Sequence, residues 1–224
     1  IVILSKKQAS IFPIASVSKL MSALVATELQ TPNDTAEVTR RALGTEGTNG
    51  NLRAGEKIAT AELLYPLLLE SSNDAAEVLA THYGRDNFIA KMNEWAKALM
   101  MDQTSFEDPS GLSKGNVSSP ADMFKLVGYL VKEKPELFHI TTDRSYSNKK
   151  HSWSNTSQFV RKEGYLGGKS GYTYAAKQTV VSTFALPLGQ SGTRPIAITL
   201  LQSTDRRKDV ESIIQYLKKN VYYG

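Results

Sequence analysis

The chain has 224 residues, 41% of them hydrophobic and 22% charged, which is enough to bury a core as one domain or two interleaved lobes. Its formal charge of +5 fits an anionic partner. The basic groups at 149–150 and 206–208 are too short for a nucleic-acid tail, so we predict no nucleic-acid partner. The absence of cysteine excludes disulfides and thiolate sites, and the three histidines lack metal-ligand spacing, so we predict no metal and no cofactor.

The first predicted element is a buried strand at Ile1–Leu4, from which we expect a processed or trimmed chain. No signal peptide and no membrane-spanning apolar run is visible. The middle of the chain is helical by its apolar periodicity, apart from the polar stretches 31–55 and 141–158. The predicted helices are Ser16–Leu29, Ala61–Glu70, Ala75–His82 capped by Asn73 or Asp74, Asn87–Met100 capped by Asp86, and one that begins at Ser119-Pro120 and runs through Leu130.

The final third of the chain changes to strand-like patterns. Residues 179–186 and 196–201 are β-branched or apolar, and the turn-rich segment 187–194 between them predicts a hairpin. An amphipathic helix is predicted at Asp205–Asn220, and we expect Ile1–Leu4 to join the late strands in one sheet. The sequence therefore predicts an α/β (α+β) fold in which an antiparallel sheet flanked by helices carries a large all-helical insertion.

The first candidate for chemistry is the segment Ser16-Val17-Ser18-Lys19. Residues three apart lie on one helix face, so the Lys19 amine can meet the Ser16 hydroxyl and, when neutral, take its proton. Lys19 is the only charged residue between positions 8 and 27, which favours the neutral form. Alone the motif is weak, because Ser-x-x-Lys recurs at Ser147–Lys150 and Lys19 could instead snorkel from a core helix.

Two further segments could supply polar groups to a cleft. Ser71-Ser72-Asn73 interrupts two apolar helices, so Ser71 could pass a proton and Asn73 could hold a substrate backbone; the alternative is a capping turn. In the glycine-rich segment 167–172, Lys169 and Ser170 suit a peptide carboxylate, and the glycines allow a substrate backbone to come close. The alternative there is a glycine-rich hairpin turn.

The three motifs, in this order, resemble those of serine β-lactamases and penicillin-binding proteins. The sequence around the motifs is similar to that of the low-molecular-weight penicillin-binding proteins that act as D-alanyl-D-alanine carboxypeptidases or endopeptidases. This similarity covers nearly the whole chain. The segments that carry this resemblance are 13–21 (PIASVSKLM), 70–76 (ESSNDAA), 108–112 (DPSGL) and 168–173 (GKSGYT). It implies a β-lactamase/transpeptidase-like fold, with one penicillin-binding catalytic domain over 1–224 that has an α/β lobe at about 1–30 and 160–224 and a helical lobe at about 31–159.

The resemblance also implies a mechanism and a set of roles. The protein would be a serine D,D-peptidase that cleaves D-Ala-D-Ala-type bonds of peptidoglycan through an acyl-enzyme on Ser16, with Lys19 as the base and Ser71 as a proton relay. The backbone N–H groups of Ser16 and Tyr172 would form the oxyanion hole. The substrate-binding residues would be Asn73, Lys169, Gly171, Tyr172 and Ser170, the last in place of the more usual threonine.

The implied partners are peptidoglycan stem peptides and, as covalent inhibitors, β-lactam antibiotics. The implied location is extracytoplasmic, in the periplasm or at the outer face of the bacterial cytoplasmic membrane, and any membrane association would need segments absent from this chain. No second, β-rich domain of the kind that many family carboxypeptidases carry follows in this sequence. We therefore expect either a single-domain, endopeptidase-like relative or a shortened chain.

Two rival functions share this machinery. A class A-like β-lactamase also needs a glutamate to activate the deacylating water, and Glu107 lies about where that residue would fall. The β-lactamase loop would carry asparagine where this chain has Gly111, and Asp108–Leu112 resembles the peptidase turn instead, so we interpret Glu107 as a surface residue. The second rival is a non-catalytic β-lactam or cell-wall sensor that is acylated at Ser16 without turnover, and the sequence leaves this alternative open.

Overall fold

The computed structural model describes residues 1–47, 50–189 and 192–222. Its largest sheet is antiparallel, with strand order β7-β8-β9. Lys169 of the glycine-rich segment pairs with Val181 in the neighbouring strand, so this segment is a strand and not a turn. The three strands are β7 (Tyr165–Thr173), β8 (Lys177–Pro187) and β9 (Thr193–Ser203).

Helices occupy most of the chain between positions 19 and 140, as the apolar periodicity predicts. The fifth begins as the sequence indicates, because the Ser119 side chain accepts a hydrogen bond from the Asp122 N–H and Pro120 fills the first turn. No helix in the described ranges combines the length and apolarity needed to cross a membrane. The helices are α1 (Lys19–Leu29), α2 (Thr60–Leu69), α3 (Asn73–His82), α4 (Arg85–Ala98), α5 (Pro120–Glu133), α6 (Pro135–Ile140) and α7 (Arg206–Asn220).

Three short antiparallel strand pairs fix the connecting segments. The first of them joins the chain just before Ser16 to the segment that follows the turn at 108–111. The other two form hairpin-like pairs beside α2, one on each side of it in sequence. The pairs are β1 (Phe12–Pro13) with β4 (Val117–Ser118), β2 (Thr35–Glu37) with β3 (Lys57–Ala59), and β5 (Ser145–Ser147) with β6 (Ser152–Ser154).

The hydrophobic core forms two clusters on opposite faces of the large sheet. Adjacent residues of a strand point to opposite faces, so Val181 packs with the cluster around α1 while Val180 packs with the cluster beneath α7. In α1 every residue from Lys19 to Ala26 is buried, which explains why that helix is apolar all round. The predicted division into two lobes stays a prediction.

The prediction of a strand at the N-terminus is wrong. Ile1–Leu4 has no strand partner, and its side chains are exposed, Ile1 completely. The large sheet consists of β7, β8 and β9 within the described residues, so this segment does not add a strand to it. An apolar run suits a strand, but only hydrogen bonding to an available sheet edge makes one.

Two predicted helix caps are also wrong. Ser72, not Asn73 or Asp74, caps α3, because its hydroxyl accepts the N–H of Ala75 at 3.1 Å and leaves the Asn73 side chain free for other contacts. Gly84 precedes α4, so Asp86 lies inside the first turn. The polar stretch 31–55 is less irregular than predicted, since it contains β2 and a short 3-10 helix at Ala42–Gly44. The linker between β8 and β9 is shorter than the predicted segment 187–194, because both strands are longer than predicted. Positions 190 and 191 of this linker lie outside the described residues.

Candidate active site

Ser16 lies on a 3-10 helix, Ala15–Ser18, that leads directly into α1 at Lys19. Side chains at i and i+3 eclipse each other in this tight helix. Accordingly, the Lys19 Nζ lies 3.1 Å from the Ser16 Oγ. The serine and lysine of the first motif therefore meet, as the sequence predicts.

The backbone just before the serine is strained. Ala15 has a φ of +51°, a left-handed conformation that costs a residue with a Cβ about 1–2 kcal/mol. Two contacts hold it. The Ser18 hydroxyl donates to the Ala15 carbonyl at 2.8 Å, and Gly111 packs so closely that a Cβ there would lie 2.0 Å from the same oxygen. The turn at 108–111 thus supports the position of Ser16.

Lys19 is completely buried, and its amine has three neighbours. Besides the Ser16 Oγ, Nζ donates to the Asn73 Oδ1 at 2.7 Å and to the Ser110 carbonyl at 2.6 Å. A neutral amine has two N–H groups for these two acceptors, which leaves its lone pair for the Ser16 hydroxyl. Burial, and next the positive charge of Lys169, hold the pKa of Lys19 well below its usual range, although Asp108 acts in the opposite direction. The arrangement can therefore act as a general base.

Asp108 shapes the turn that presents the Ser110 carbonyl to Lys19. Its Oδ1 accepts the N–H groups of Ser110 and Gly111, both at 2.6 Å, and its Oδ2 accepts the N–H of Ser113. Burial raises the pKa of Asp108, but these hydrogen bonds outweigh it and lower the pKa overall. The carboxylate is thus ionised at neutral pH, and its negative charge raises the pKa of Lys19 against the effect of burial.

Asn116, which the sequence analysis missed, links this turn to the nucleophile's helix. Its Oδ1 accepts the N–H groups of Glu107 and Asp108, at 2.8 and 3.1 Å. Its Nδ2 donates to the Ser18 Oγ at 3.0 Å and to the Asp108 carbonyl at 2.9 Å. The side chain is fully buried, so all four of its hydrogen bonds are sheltered from water.

We expect Asn116→Ala to lower the free energy of unfolding by about 2–4 kcal/mol, because it leaves several buried polar groups without partners. Urea denaturation would measure this change. Asn220→Ala removes an exposed side chain at the end of α7 and should change the free energy by less than about 0.5 kcal/mol. Equal effects of the two substitutions would contradict the linking role of Asn116.

Lys169 places a second buried amine beside Lys19. Its Nζ donates to the Ser71 Oγ at 2.8 Å and to the Ser170 carbonyl at 2.9 Å. Burial, and next the positive charge of Arg206, lower the pKa of Lys169 to about 7. Ser71, with a φ of +62°, is held in the left-handed region at the break between α2 and α3. The second and third motifs are therefore joined by a direct hydrogen bond.

Asn73 connects the second motif to the first. Its Oδ1 accepts from Lys19, and its Nδ2 donates to the backbone carbonyl of Glu46 at 2.6 Å. Both ends of the amide are thus engaged, and the segment that contains Glu46 lies against the site. The capping alternative applies to Ser72 and not to Asn73.

Strand β7 passes directly beside the nucleophile. A Cβ on Gly171 would lie 2.6 Å from the Ser16 backbone nitrogen and 2.8 Å from the Thr179 Oγ1, so only glycine fits. Ser170 is partly buried, and Tyr172 is largely exposed at the end of the strand. All eight residues named from the three motifs thus lie within one connected region.

Arg206, the first residue of α7, was not found from the sequence. Its Nη1 donates to the Gly171 carbonyl at 2.8 Å. Because C=O and N–H of a trans peptide point in opposite directions, the Tyr172 N–H points away from Arg206. Nothing in the spacing of the motifs indicates this residue, which belongs to a basic triplet 35 positions beyond Gly171.

The family model described as D-alanyl-D-alanine carboxypeptidase matches residues 1–201. The chain belongs to this family. A D-alanyl-D-alanine endopeptidase of Escherichia coli is 32% identical over 203 residues, which cover 85% of this chain and 64% of that protein. The chain thus spans less than two thirds of the length of that relative.

Solved structures of D-alanyl-D-alanine peptidase relatives show the same fold. The crystal structure of a Streptomyces DD-transpeptidase has a TM-score of 0.83 and 25% identity, and covers 95% of this chain and 90% of that one. Penicillin-binding protein D2 from Listeria monocytogenes, in its cefotaxime-bound form, has a TM-score of 0.82 and 26% identity, over 97% of this chain and 91% of that one. The predicted fold of antiparallel sheet and helices is confirmed.

The rival site residues lie elsewhere in this member of the D-alanyl-D-alanine carboxypeptidase family. Glu107 is exposed and accepts the Ser113 hydroxyl, in keeping with the surface role assigned to it from the sequence. The second Ser-x-x-Lys copy lies on the β5–β6 pair and not on a helix. There the Ser147 and Ser152 hydroxyls are 2.8 Å apart.

Proposed function

We propose that this chain is the catalytic domain of a serine D,D-peptidase that cleaves D-Ala-D-Ala-type bonds of peptidoglycan through an acyl-enzyme on Ser16. The observation that carries the proposal is the buried Lys19 amine, whose lone pair faces the Ser16 hydroxyl when its two N–H groups are engaged. Membership of the D-alanyl-D-alanine carboxypeptidase family supports the same reaction.

Acylation begins as the Ser16 Oγ attacks the carbonyl carbon of the penultimate D-Ala and its proton passes to Lys19. The backbone N–H groups of Ser16 and Tyr172 stabilise the developing oxyanion. As the C–N bond breaks, Ser71 gives a proton to the leaving amine and takes one from Lys169. Water then attacks the acyl-enzyme: one of its protons returns through Ser71 to Lys169, and its hydroxyl completes the product carboxyl group. Ser16 takes its proton back from Lys19, so the net reaction is hydrolysis.

Substrate recognition is assigned to the positive side of the cleft. Lys169 and Ser170 bind the terminal carboxylate, and Arg206 adds positive charge there. Asn73 holds the peptide backbone and exchanges its contact with Glu46 for one with the substrate. Such a substrate belongs to the extracytoplasmic side of a bacterial cell, in the periplasm or at the outer face of the membrane, where we expect the enzyme to act on stem peptides and to be acylated by β-lactams.

The pKa values predict a limited pH range for acylation. The Lys169 ammonium, which attracts the carboxylate, is present below about pH 7 and is lost as the pH rises through that value. We therefore expect the second-order rate constant for acylation by a penicillin to fall above about pH 7 in the free enzyme. Lys169→Arg should move this fall to a much higher pH, because guanidinium does not lose its proton in this range. A penicillin methyl ester, without the carboxylate, should show a smaller fall, because it loses only the proton that Lys169 supplies through Ser71. An identical profile for ester and acid would contradict the role of Lys169 in binding the carboxylate.

The proposal as a whole is tested by labelling with a fluorescent penicillin on a denaturing gel. We expect a stable covalent label on the wild-type chain and on Ser147→Ala, the control at the second Ser-x-x-Lys copy. Ser16→Ala should carry no label. Absence of label on the wild type would overturn the assignment, and if the antibiotic were also hydrolysed, a β-lactamase would replace it.

Peptide turnover then separates the enzyme from a sensor. Release of D-Ala from a pentapeptide would show a carboxypeptidase. Cleavage of a cross-linked dimer would show an endopeptidase, the activity for which the Escherichia coli relative is named. A label without turnover of either peptide would indicate a non-catalytic sensor.

A further inference from the structure

A second cavity, of about 250 Å³, is lined by none of the candidate active-site residues. Three segments form it: β3 with Glu56 before it, the first turn of α2, and the turn between β5 and β6. The residues that line it are Glu56, Lys57, Ile58, Ala59, Glu62, Asn148, Lys149, Lys150 and His151.

The cations of this cavity have no acidic partners. Lys57, Lys149 and Lys150 are exposed, and the ion pairs among residues 1–47, 50–189 and 192–222 involve none of them. Three ammonium groups around one cavity repel each other, and an anion placed between them would relieve this repulsion.

The two acids of the cavity are already engaged within the protein. The Glu56 carboxylate accepts the Arg53 N–H at 2.6 Å and lies 2.9 Å from the His151 Nε2. The Glu62 carboxylate accepts the Tyr146 hydroxyl at 3.3 Å and the Asn148 amide at 3.2 Å. These contacts hold both carboxylates against the protein, and the three lysines outnumber them around the cavity.

Two further features of the walls suit an anion. Ala59 precedes α2 and offers no side-chain cap, so Glu62 in the first turn is the acidic group that faces the positive end of this ten-residue helix. His151 has only 2% of its side chain exposed, and within the described ranges its Nδ1 has no hydrogen-bond partner. A buried ring nitrogen without a partner is unusual. With Nε2 directed at Glu56, Nδ1 can donate to an anion when both ring nitrogens carry protons.

The cavity is built on the same framework as the second catalytic motif. The His151 ring stacks on Trp153, with ring centroids 5.0 Å apart, and the Trp153 Nε1 donates to the Gly50 carbonyl at 2.6 Å. Gly50 in turn packs against Ser72, since a Cβ at this glycine would lie 2.4 Å from the Ser72 hydroxyl oxygen. The cavity wall is thus packed against Ser72, the residue between Ser71 and Asn73.

We propose that this cavity is a second binding site for an anionic group, a carboxylate or a phosphate, of the cell-wall polymer on which the enzyme acts. The inference rests on the proposed function and adds to it a contact outside the cleft. A polymer would be bound at two points, whereas a short peptide or a penicillin would use the cleft alone. The site therefore favours polymeric over small substrates.

The test uses the double charge reversal Lys149→Glu with Lys150→Glu. We expect binding to purified peptidoglycan sacculi, measured by co-sedimentation at low salt, to weaken about tenfold, while labelling by fluorescent penicillin proceeds at the wild-type rate. The matched control is Lys218→Glu with Lys219→Glu, which changes the net charge equally at two exposed lysines at the end of α7. Its binding to sacculi should stay within about twofold of the wild type.

The outcomes are distinguishable. Equal losses in the two double variants would overturn the site, because they would report net charge only, and unchanged binding in the first variant would overturn it as well. A failure of penicillin labelling in the wild type would count against the proposed function instead. Sacculi treated with hydrofluoric acid, which removes phosphodiester-linked polymers, identify the anionic group that is bound. If the two double variants still differ in binding to treated sacculi, the group is a carboxylate. If the difference disappears, the group is a phosphate.

Discussion

Replacing Lys19 with methionine should lower the rate of acylation by penicillin by about 10²–10⁴-fold, the range expected for loss of a general base. Methionine has an unbranched side chain that fits the buried space of Lys19, but it has no nitrogen lone pair to accept the Ser16 proton. The Asn73 Oδ1 and the Ser110 carbonyl also lose their donor. The time course of fluorescent-penicillin labelling measures the rate directly.

The control for this substitution is Lys91→Met, at an exposed lysine on α4 that pairs with Glu94. It removes the same charge and should leave the rate within about twofold, because exposed ion pairs contribute little. Thermal unfolding of both variants separates a catalytic defect from a folding defect. A folded Lys19→Met protein that labels at more than a tenth of the wild-type rate would exclude Lys19 as the base.

Replacing Gly171 with alanine should reduce acylation by about 100-fold or more. The added methyl group would lie 2.6 Å from the Ser16 backbone nitrogen, well inside contact distance, so either β7 or the nucleophile's helix must shift. Such a displacement changes the distance between Ser16 and Tyr172, whose backbone N–H groups are the proposed oxyanion-hole donors, and misplacement by about 1 Å can cost 100-fold. Labelling kinetics over a range of penicillin concentrations would show the loss.

Gly128→Ala is the matched control, because a Cβ at this position of α5 meets nothing within 4 Å. Alanine is also the better helix former by about 1 kcal/mol, so this variant should be slightly more stable and fully active. If Gly171→Ala kept wild-type kinetics, the close approach of β7 to the serine would not matter for the reaction.

The elements that the sequence predicts well are those whose pattern is local. The periodicity of α5 and α7 and the apolar runs of β8 and β9 determine their own conformation, and each is present within a few residues of its predicted bounds. Ile1–Leu4 has an equally clear local pattern, but a strand depends on a partner that local sequence does not encode. The glycine-rich segment at 167–172 shows the converse, since pairing with β8 makes it a strand despite its composition.

The site was predictable in its parts but not in its connections. The motif residues are recognisable by their type and order, yet the bond from Lys19 to Asn73 spans 54 positions and that from Lys169 to Ser71 spans 98. Ser110 contributes a backbone carbonyl, which has no signature in the sequence. Arg206 and Asn116 act through contacts that only the folded chain brings together, so no spacing rule could have indicated them.

The burial of Lys19 and Lys169 has a consequence for folding. Both lysines have an ordinary pKa of 10.5 in the unfolded chain and a lowered one in the native state, so the unfolded chain binds more protons. Folding near neutral pH therefore releases protons, and the cost of burying the two amines is largest in acid and disappears above pH 10.5. Acidification pushes protons back onto the native chain, so the burial that lowers the pKa of both amines also makes the folded protein sensitive to acid.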